Sequence, residues 1–245
     1  MDLTQPAIEL FGLQINEPVT VLTDLLVAAV CLYAFIRLIQ IPRRSKLRYY
    51  LLAYFFLMFI ATATGGLIGH AFLWYFEASW TNPSWVDAII DAIPYFESHE
   101  PAYAWKLPGW ITSMLSIMFL ERAAIEQVRP VVKPAVGNTL KVINMIELIL
   151  FMSITLMTLN FKYVEFHSGY GLVFVVLSLQ TYSWIKTRRQ GNKLFITGVL
   201  IASVGALFYM TETGISKWYN HYDISHTFMA VAAWYFYKGS KKMLQ

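Results

Sequence analysis

Apolar residues gather in seven long runs along the chain, and each run is bounded by a short polar segment or by Pro and Gly. The runs do not alternate with period two, so they indicate helices and not the strands of a membrane barrel. Several reach the roughly 20 residues that a helix needs to cross a bilayer. The pattern predicts helices over 18–39, 48–76, 107–128, 139–160, 163–186, 193–213 and 221–238. We therefore expect an all-α integral membrane protein, a single seven-transmembrane helix bundle over residues 1–245.

The one long connection between the runs covers residues 77–106. Within it, Asn82 followed by Pro83 is typical of a helix N-terminus, and the sequence after this pair predicts a short helix lying in the membrane interface. Asp87 and Asp91 are four residues apart and share one face of that helix. They form either a solvated polar face, or a cation-binding rim or lid over a cavity.

The composition agrees with a membrane protein, because 57% of the residues are hydrophobic, only 14% are charged, and the mean hydropathy is +0.50. Soluble domains carry about 25% charged residues. The single cysteine, Cys31, excludes an internal disulfide, and its place inside the first run predicts a small buried hydrophobic side chain. The segment before that run is acidic and lacks the basic stretch of a signal peptide, so we expect the first run to be retained.

The net charge of +4 does not indicate nucleic acid, because the basic residues are sorted by membrane side. Of the 19 Lys and Arg residues, all but Lys106, Lys162 and Lys217 fall on one side of the predicted bundle. Since cytoplasmic connections carry the excess of basic residues, we expect the N-terminus outside and the C-terminus in the cytoplasm. The protein is then a multi-pass protein of a cell or inner membrane, with membrane lipid as its partner.

Ionisable residues inside apolar runs are costly and are candidates for function. In the predicted topology, the outer half and outer connections hold all five histidines together with Asp24, Glu212 and Asp223.

Three of these residues have the chemistry of zinc ligands. Asp223 and His226 are three residues apart and project from one helix face, and His70 comes from the second predicted helix. Three N and O ligands leave one position of a tetrahedral Zn²⁺ open for a water, whose pKa the ion lowers to about 7. His221 lies about 140° round the helix from His226, so it becomes a further ligand only if the helix end bends.

The remaining carboxylates have other candidate roles. Asp24 and Glu212 are candidate catalytic residues that orient the histidines or act as the general base. On the inner side, Glu147 lies on the helix next to the one that carries Arg122. We expect these two side chains to form a buried ion pair, which Asn144 can join.

The segments GGLIGH (65–70) and HYDISH (221–226) resemble the alkaline ceramidase and progestin/adipoQ receptor superfamily of seven-helix membrane hydrolases. Members carry zinc-binding histidines in the second and seventh helices, and known activities cleave amide bonds in lipids such as ceramide. This chain departs from the pattern in three ways. Gly66 stands at the superfamily's serine position, the third helix has no aspartate at its outer end, and the seventh-helix histidines are spaced HxxxxH instead of HxxxH.

The sequence therefore leaves three functions open. The first is a zinc-dependent intramembrane hydrolase of a lipid amide or ester. The second is a non-enzymatic transporter, channel or receptor, in which Asp24, Glu212 and the histidines form an outer-facing cation or proton site and Glu147 lies deeper along the path. The third is an assembly protein whose polar residues only hold the helices together.

Overall fold

The computed structural model describes residues 5–42, 44–77 and 105–245, and these residues are mostly helical. The helices are α1 (Pro18–Ile39), α2 (Lys46–Thr64), the short α3 (Leu73–Glu77), α4 (Leu107–Val128), α5 (Pro134–Thr158), α6 (Lys162–Gly169), α7 (Ser178–Thr187), α8 (Gln190–Met210) and α9 (His221–Leu244). A π-helical stretch, Gly65–Ala71, extends α2, and a second, Tyr170–Leu177, joins α6 to α7. The described residues thus form seven long helical segments, and each predicted run overlaps one of them.

Four of these segments are long and apolar enough to cross a membrane. They are Pro18–Ile39, Lys46–Ala71, Pro134–Thr158 and Gln190–Met210. The chain is therefore a helical membrane protein, as the composition predicts.

Local chemistry explains where several helices begin and end. Pro18 occupies the first turn of α1, where its missing N–H costs no hydrogen bond. The Ser45 hydroxyl caps α2 by accepting a hydrogen bond from the Arg48 N–H. At the end of α5, Leu159 has a φ of 50°, and this left-handed residue separates the fourth predicted run from the fifth.

A small β-hairpin precedes α1, and the prediction of an all-α fold misses it. Strands Ile8–Leu10 (β1) and Leu13–Ile15 (β2) pair antiparallel, with Leu10 opposite Leu13. The two turn residues, Phe11 and Gly12, both have positive φ, the geometry of the tight turns that suit the twist of a hairpin. The strands have only three residues each, which is too short for an alternating pattern to stand out in the sequence.

The main core lies where α1, α2, α4, α8 and α9 pack together. Cys31 is fully buried there as a free thiol, together with Phe55 and Phe195. Phe195 of α8 stacks on Phe236 of α9, with ring centroids 5.2 Å apart. In contrast, α5 exposes apolar side chains along most of one face, which fits contact with lipid.

Candidate metal centre

Ionisable side chains from three helices meet beside the N-terminal hairpin. We call this group the Asp24 cluster. It comprises Glu17 just before α1, Asp24 and the neutral Thr23 in α1, His70 in the π-helical extension of α2, and His226 in α9. The Nε2 atom of His70 lies 3.8 Å from Asp24 Oδ2, and the Nε2 atom of His226 lies 3.6 Å from Asp24 Oδ1. Asp24 is buried, so the two imidazoles face a carboxylate that is shielded from water.

The other nitrogen of each imidazole has its own partner. His70 Nδ1 lies 2.5 Å from Glu17 Oε2, and because a carboxylate accepts, Nδ1 carries the proton. His226 Nδ1 lies 3.2 Å from the Thr23 hydroxyl, which donates its own proton to the Thr20 carbonyl at 3.0 Å. That hydroxyl therefore accepts from His226 Nδ1, and both neutral histidines turn an Nε2 lone pair towards Asp24.

Two lone pairs and a carboxylate that face one another repel unless a proton or a cation lies between them. The separations of 3.6 and 3.8 Å are too long for direct hydrogen bonds. They are close to the ~3.4 Å between two ligand atoms of a tetrahedral zinc ion with bonds of 2.0–2.1 Å. The ring centroids of His70 and His226 are 6.3 Å apart, about 1 Å more than two imidazoles on one such ion. Within the described residues, ligand atoms of Asp24, His70 and His226 do not all come within 4.8 Å of one another. The cluster thus has the donor types of a metal site without its closed geometry.

Because Gly66 has no side chain, α1 and α2 approach closely enough to form this cluster. A Cβ atom at Gly66 would lie 3.0 Å from Asp24 Cβ and 3.4 Å from the Val21 carbonyl oxygen. The neighbouring glycines have looser contacts: a Cβ atom would lie 3.6 Å from Asp24 Oδ2 at Gly65 and 3.8 Å from Lys106 Cγ at Gly69. Gly66 is therefore the glycine that makes the tightest contact with Asp24.

Asp223, the third predicted zinc ligand, has a different set of contacts. It is fully buried, and its Oδ2 accepts hydrogen bonds from Gln5 Nε2 and from the Asn220 N–H, both at 2.7 Å. Together with Asn220 it forms the capping box at the start of α9. Asp223 and His226 do share a helix face, since both contact the Thr23 hydroxyl. In this structure, however, the carboxylate that faces the histidines is that of Asp24.

The remaining predicted residues lie around this cluster or beyond the described residues. The His221 ring packs against Tyr209 and Tyr222, and its buried Nδ1 has no hydrogen-bond partner within the described residues. Glu212 is exposed in the turn after α8, and the described residues place no side-chain hydrogen bond on it. Asp87 and Asp91, with the predicted interfacial helix or lid, lie outside the described residues.

Glu17 is the charged end of the Asp24 cluster. Burial raises the pKa of its carboxyl, but the hydrogen bond from His70, the attraction of that ring's N–H and the positive charge of Lys106 outweigh burial. The pKa of Glu17 therefore lies below its ordinary value of 4.5. As a result, Glu17 stays ionised near neutral pH and holds the proton of His70 on Nδ1.

A second buried polar group lies between α4, α5 and α6, and we call it the Glu147 cluster. It comprises Glu121 of α4, Asn144 and Glu147 of α5, and His167 of α6. Glu147 was predicted to pair with Arg122, but its Oε1 lies 2.6 Å from His167 Nδ1 instead. From the sequence, His167 is expected in the outer half and Glu147 in the inner half, so a contact between them is not predicted.

With the fold and both clusters described, the chain can be placed among known proteins. It is a helical membrane protein with two buried groups of ionisable side chains. It belongs to a family of unknown function, DUF6962, whose family model matches residues 19–96 and 95–245. No curated protein and no solved structure matches it significantly.

Proposed function

We propose that all seven long helical segments cross the membrane, with the N-terminus outside and the C-terminus in the cytoplasm. The sorting of Lys and Arg supports this topology, since only Lys106, Lys162 and Lys217 fall on the outer side. The other three long segments are α4, the stretch from α6 to α7, and α9, and they are less apolar than the four named above. They carry ionisable groups that are buried against other helices, among them Glu121, His167 and Asp223. Such burial removes the polar groups from lipid. The Asp24 cluster then lies near the outer surface.

We further propose that the protein is a zinc-dependent hydrolase of a lipid amide or ester, with its centre at the Asp24 cluster. The observation that supports this most is the orientation of the two histidines. His70 and His226 each have Nδ1 engaged by another side chain and Nε2 turned towards Asp24. A carboxylate or hydroxyl that holds the far nitrogen of an imidazole is the usual outer-shell arrangement of a metal-binding histidine.

The residues present fit zinc, with one change from the sequence-based ligand set. His70, His226 and Asp24 would hold the ion, whereas Asp223 is occupied by Gln5 and the capping box. When bound, zinc polarises a carbonyl group and lowers the pKa of water, and these are the two effects that amide hydrolysis requires. Three protein ligands leave the open position of a catalytic site.

The chain's own residues supply orientation and a shielded surrounding. Glu17 and Thr23 fix the imidazoles in the tautomer that exposes Nε2. Asp24 is shielded on the α2 side by Gly66, and the aromatic ring of Tyr222 lies edge-on to His70 with centroids 5.9 Å apart. The His70 and Glu17 side chains are partly exposed beside the buried Asp24, and the resemblance to the ceramidase superfamily indicates an N-acyl lipid as substrate.

The test combines metal analysis with hydrolysis of an N-acyl lipid such as ceramide. Protein purified in detergent should contain zinc and release fatty acid, and His226→Ala should lose one equivalent of zinc together with the hydrolysis. His221→Ala is the matched control, because it removes a neighbouring histidine of α9 that does not face Asp24, and it should keep both. Wild-type protein that contains no zinc after purification without chelators would refute the proposal.

One observation favours the alternative of a cation or proton site without hydrolysis. Glu17, His70, Asp24, His226, Thr23 and Asp223 form a continuous series with neighbouring polar atoms 2.5 to 3.8 Å apart. Such a series can pass protons between neighbouring groups. If this is the function, proteoliposomes should show pH-driven flux that Asp24→Asn abolishes. Flux equal to that of empty liposomes would exclude it.

A further inference from the structure

The Glu147 cluster contains the residue types of a second metal site, separate from the Asp24 cluster. A ligand atom from each of Glu121, Glu147 and His167 lies within 4.8 Å of the other two. Glu121 and His167 are fully buried, and Glu147 is 7% exposed. The three side chains come from α4, α5 and α6, and none of these helices contributes to the Asp24 cluster.

Several acceptor atoms of this cluster are buried and receive no hydrogen bond. Within the described residues, they are Glu121 Oε1, Glu147 Oε2 and Asn144 Oδ1. Asn144 is only 2% exposed. A buried acceptor that loses its hydrogen bond to water costs about 1–3 kcal/mol. Three such oxygens near one imidazole point to a cation as their common partner.

The backbone closes tightly over one of these oxygens. Gly171, in the π-helical stretch between α6 and α7, would place a Cβ atom 2.5 Å from Glu121 Oε1. Only glycine leaves that oxygen free to face the cluster. Asn144 Nδ2 donates to the other oxygen, Glu121 Oε2, at 3.0 Å and so holds the carboxylate in place.

The hydrogen bonds of His167 fix its tautomer. Its Nε2 lies 2.9 Å from the Met114 carbonyl oxygen, which can only accept, so Nε2 carries a proton. Its Nδ1 lies 2.6 Å from Glu147 Oε1, and one proton lies between these two atoms. A neutral imidazole whose far N–H donates to a backbone carbonyl is the form in which histidine binds metals.

Charge balance then favours a divalent ion. With the proton between His167 and Glu147, the two carboxylates and the imidazole carry a net charge of −1. Once an ion displaces that proton, its ligands carry −2, which a divalent ion balances in a buried site. We propose that the Glu147 cluster binds one divalent transition-metal ion through Glu121, Glu147 and Nδ1 of His167, with the Asn144 amide oxygen as the fourth donor. Ion entry displaces the proton shared by His167 and Glu147, so binding releases protons and weakens as the pH falls. The mixed O and N donors suit Zn²⁺, Mn²⁺ or Co²⁺.

Metal stoichiometry in the full chain tests this inference apart from the proposed hydrolase. Chelator-treated protein in detergent is titrated with Co²⁺, whose visible absorption reports coordination, and is then analysed for bound metal by mass spectrometry. We expect two ions per wild-type chain, one in Glu147→Gln, one in His226→Ala and none in the double variant. Glu126→Gln is the matched control, because Glu126 is another α4 glutamate that pairs with Lys141 at 2.8 Å outside this cluster.

Each outcome bears on one site. If Glu147→Gln and the isosteric Glu121→Gln keep the wild-type stoichiometry, the Glu147 cluster binds no ion and the inference is overturned, whatever His226→Ala does. If Glu147→Gln loses an ion while His226→Ala loses none, the inference stands and the zinc site at Asp24 fails. Thermal unfolding of each variant identifies those that lose metal because they no longer fold, and for a misfolded Glu147→Gln the Glu121→Gln result decides.

Discussion

Gly66 and Asp24 lie in direct contact across the α1–α2 interface, where a Cβ atom on the glycine would come within 3.0 Å of Asp24 Cβ. Asp24 can face both histidines only because this position has no side chain. A serine at residue 66 would occupy space that the Asp24 side chain fills here.

The first prediction concerns this contact. Gly66→Ser should force α1 away from α2, lower stability by roughly 1–3 kcal/mol as overpacked cores do, and remove one equivalent of bound zinc. Thermal unfolding and metal analysis measure the two effects. Gly69→Ala is the control in the same motif, because its Cβ atom would meet Lys106 Cγ at an ordinary 3.8 Å. Equal behaviour of the two variants would argue against the importance of the Gly66 contact.

The second prediction concerns Gln5, whose buried side chain links the N-terminal segment to α1 and α9. Its amide donates to Asp223 and Thr20, and its carbonyl accepts from the Val19 N–H at 3.1 Å. Gln5→Ala leaves several of these groups unpaired, so the free energy of unfolding should fall by about 1–3 kcal/mol.

Chemical or thermal unfolding in detergent measures this loss. Gln14→Ala is the control, because the Gln14 side chain hydrogen-bonds only at the surface, to Asn16. A loss no larger than that of the control would show that Gln5 does not anchor Asp223.

The third prediction is a pH dependence that comes from Glu17. Its folded-state pKa lies below the ordinary value of 4.5, so the unfolded chain takes up the proton first as the pH falls. The stabilisation from Glu17 is therefore complete above pH ~4.5 and is lost as the pH falls through the lower folded value. The melting temperature of wild-type protein should drop more steeply below pH ~4.5 than that of Glu17→Gln. Parallel pH profiles would contradict this.

The fourth prediction concerns the backbone over the Glu147 cluster. Gly171→Ala places a methyl group against Glu121 Oε1 and Ile117, both within 2.6 Å of the new Cβ atom. We expect loss of one bound ion and a lower melting temperature. Gly169→Ala, two residues earlier, is the control, because its Cβ atom would meet nothing within 4 Å. Metal retention in Gly171→Ala would count against a site at Glu121.

The sequence predicts the helices well because each depends on one local property, a long apolar run with a boundary residue such as Pro18. The sequence also predicts that His70 and His226 lie at the same end of the bundle, because the sorting of basic residues gives an approximate depth for each residue. The structure agrees that these two histidines approach one another.

The side chains that contact these two histidines are not predictable from the individual apolar runs. Whether Asp24 or Asp223 faces them depends on how α1 and α9 are rotated about their axes, and on Gln5, which lies outside every apolar run. The contact between Glu147 and His167 is missed for a related reason. Position along a run gives only an approximate depth, so residues assigned to opposite halves can still be neighbours, as these two are at 2.6 Å.

The most direct test of the central claim is a zinc-edge anomalous diffraction map from crystals of the purified protein. The account predicts an anomalous peak between His70 Nε2 and His226 Nε2, next to the Asp24 carboxylate, that is absent in crystals of Asp24→Asn. A zinc-containing crystal without a peak at that place would contradict it.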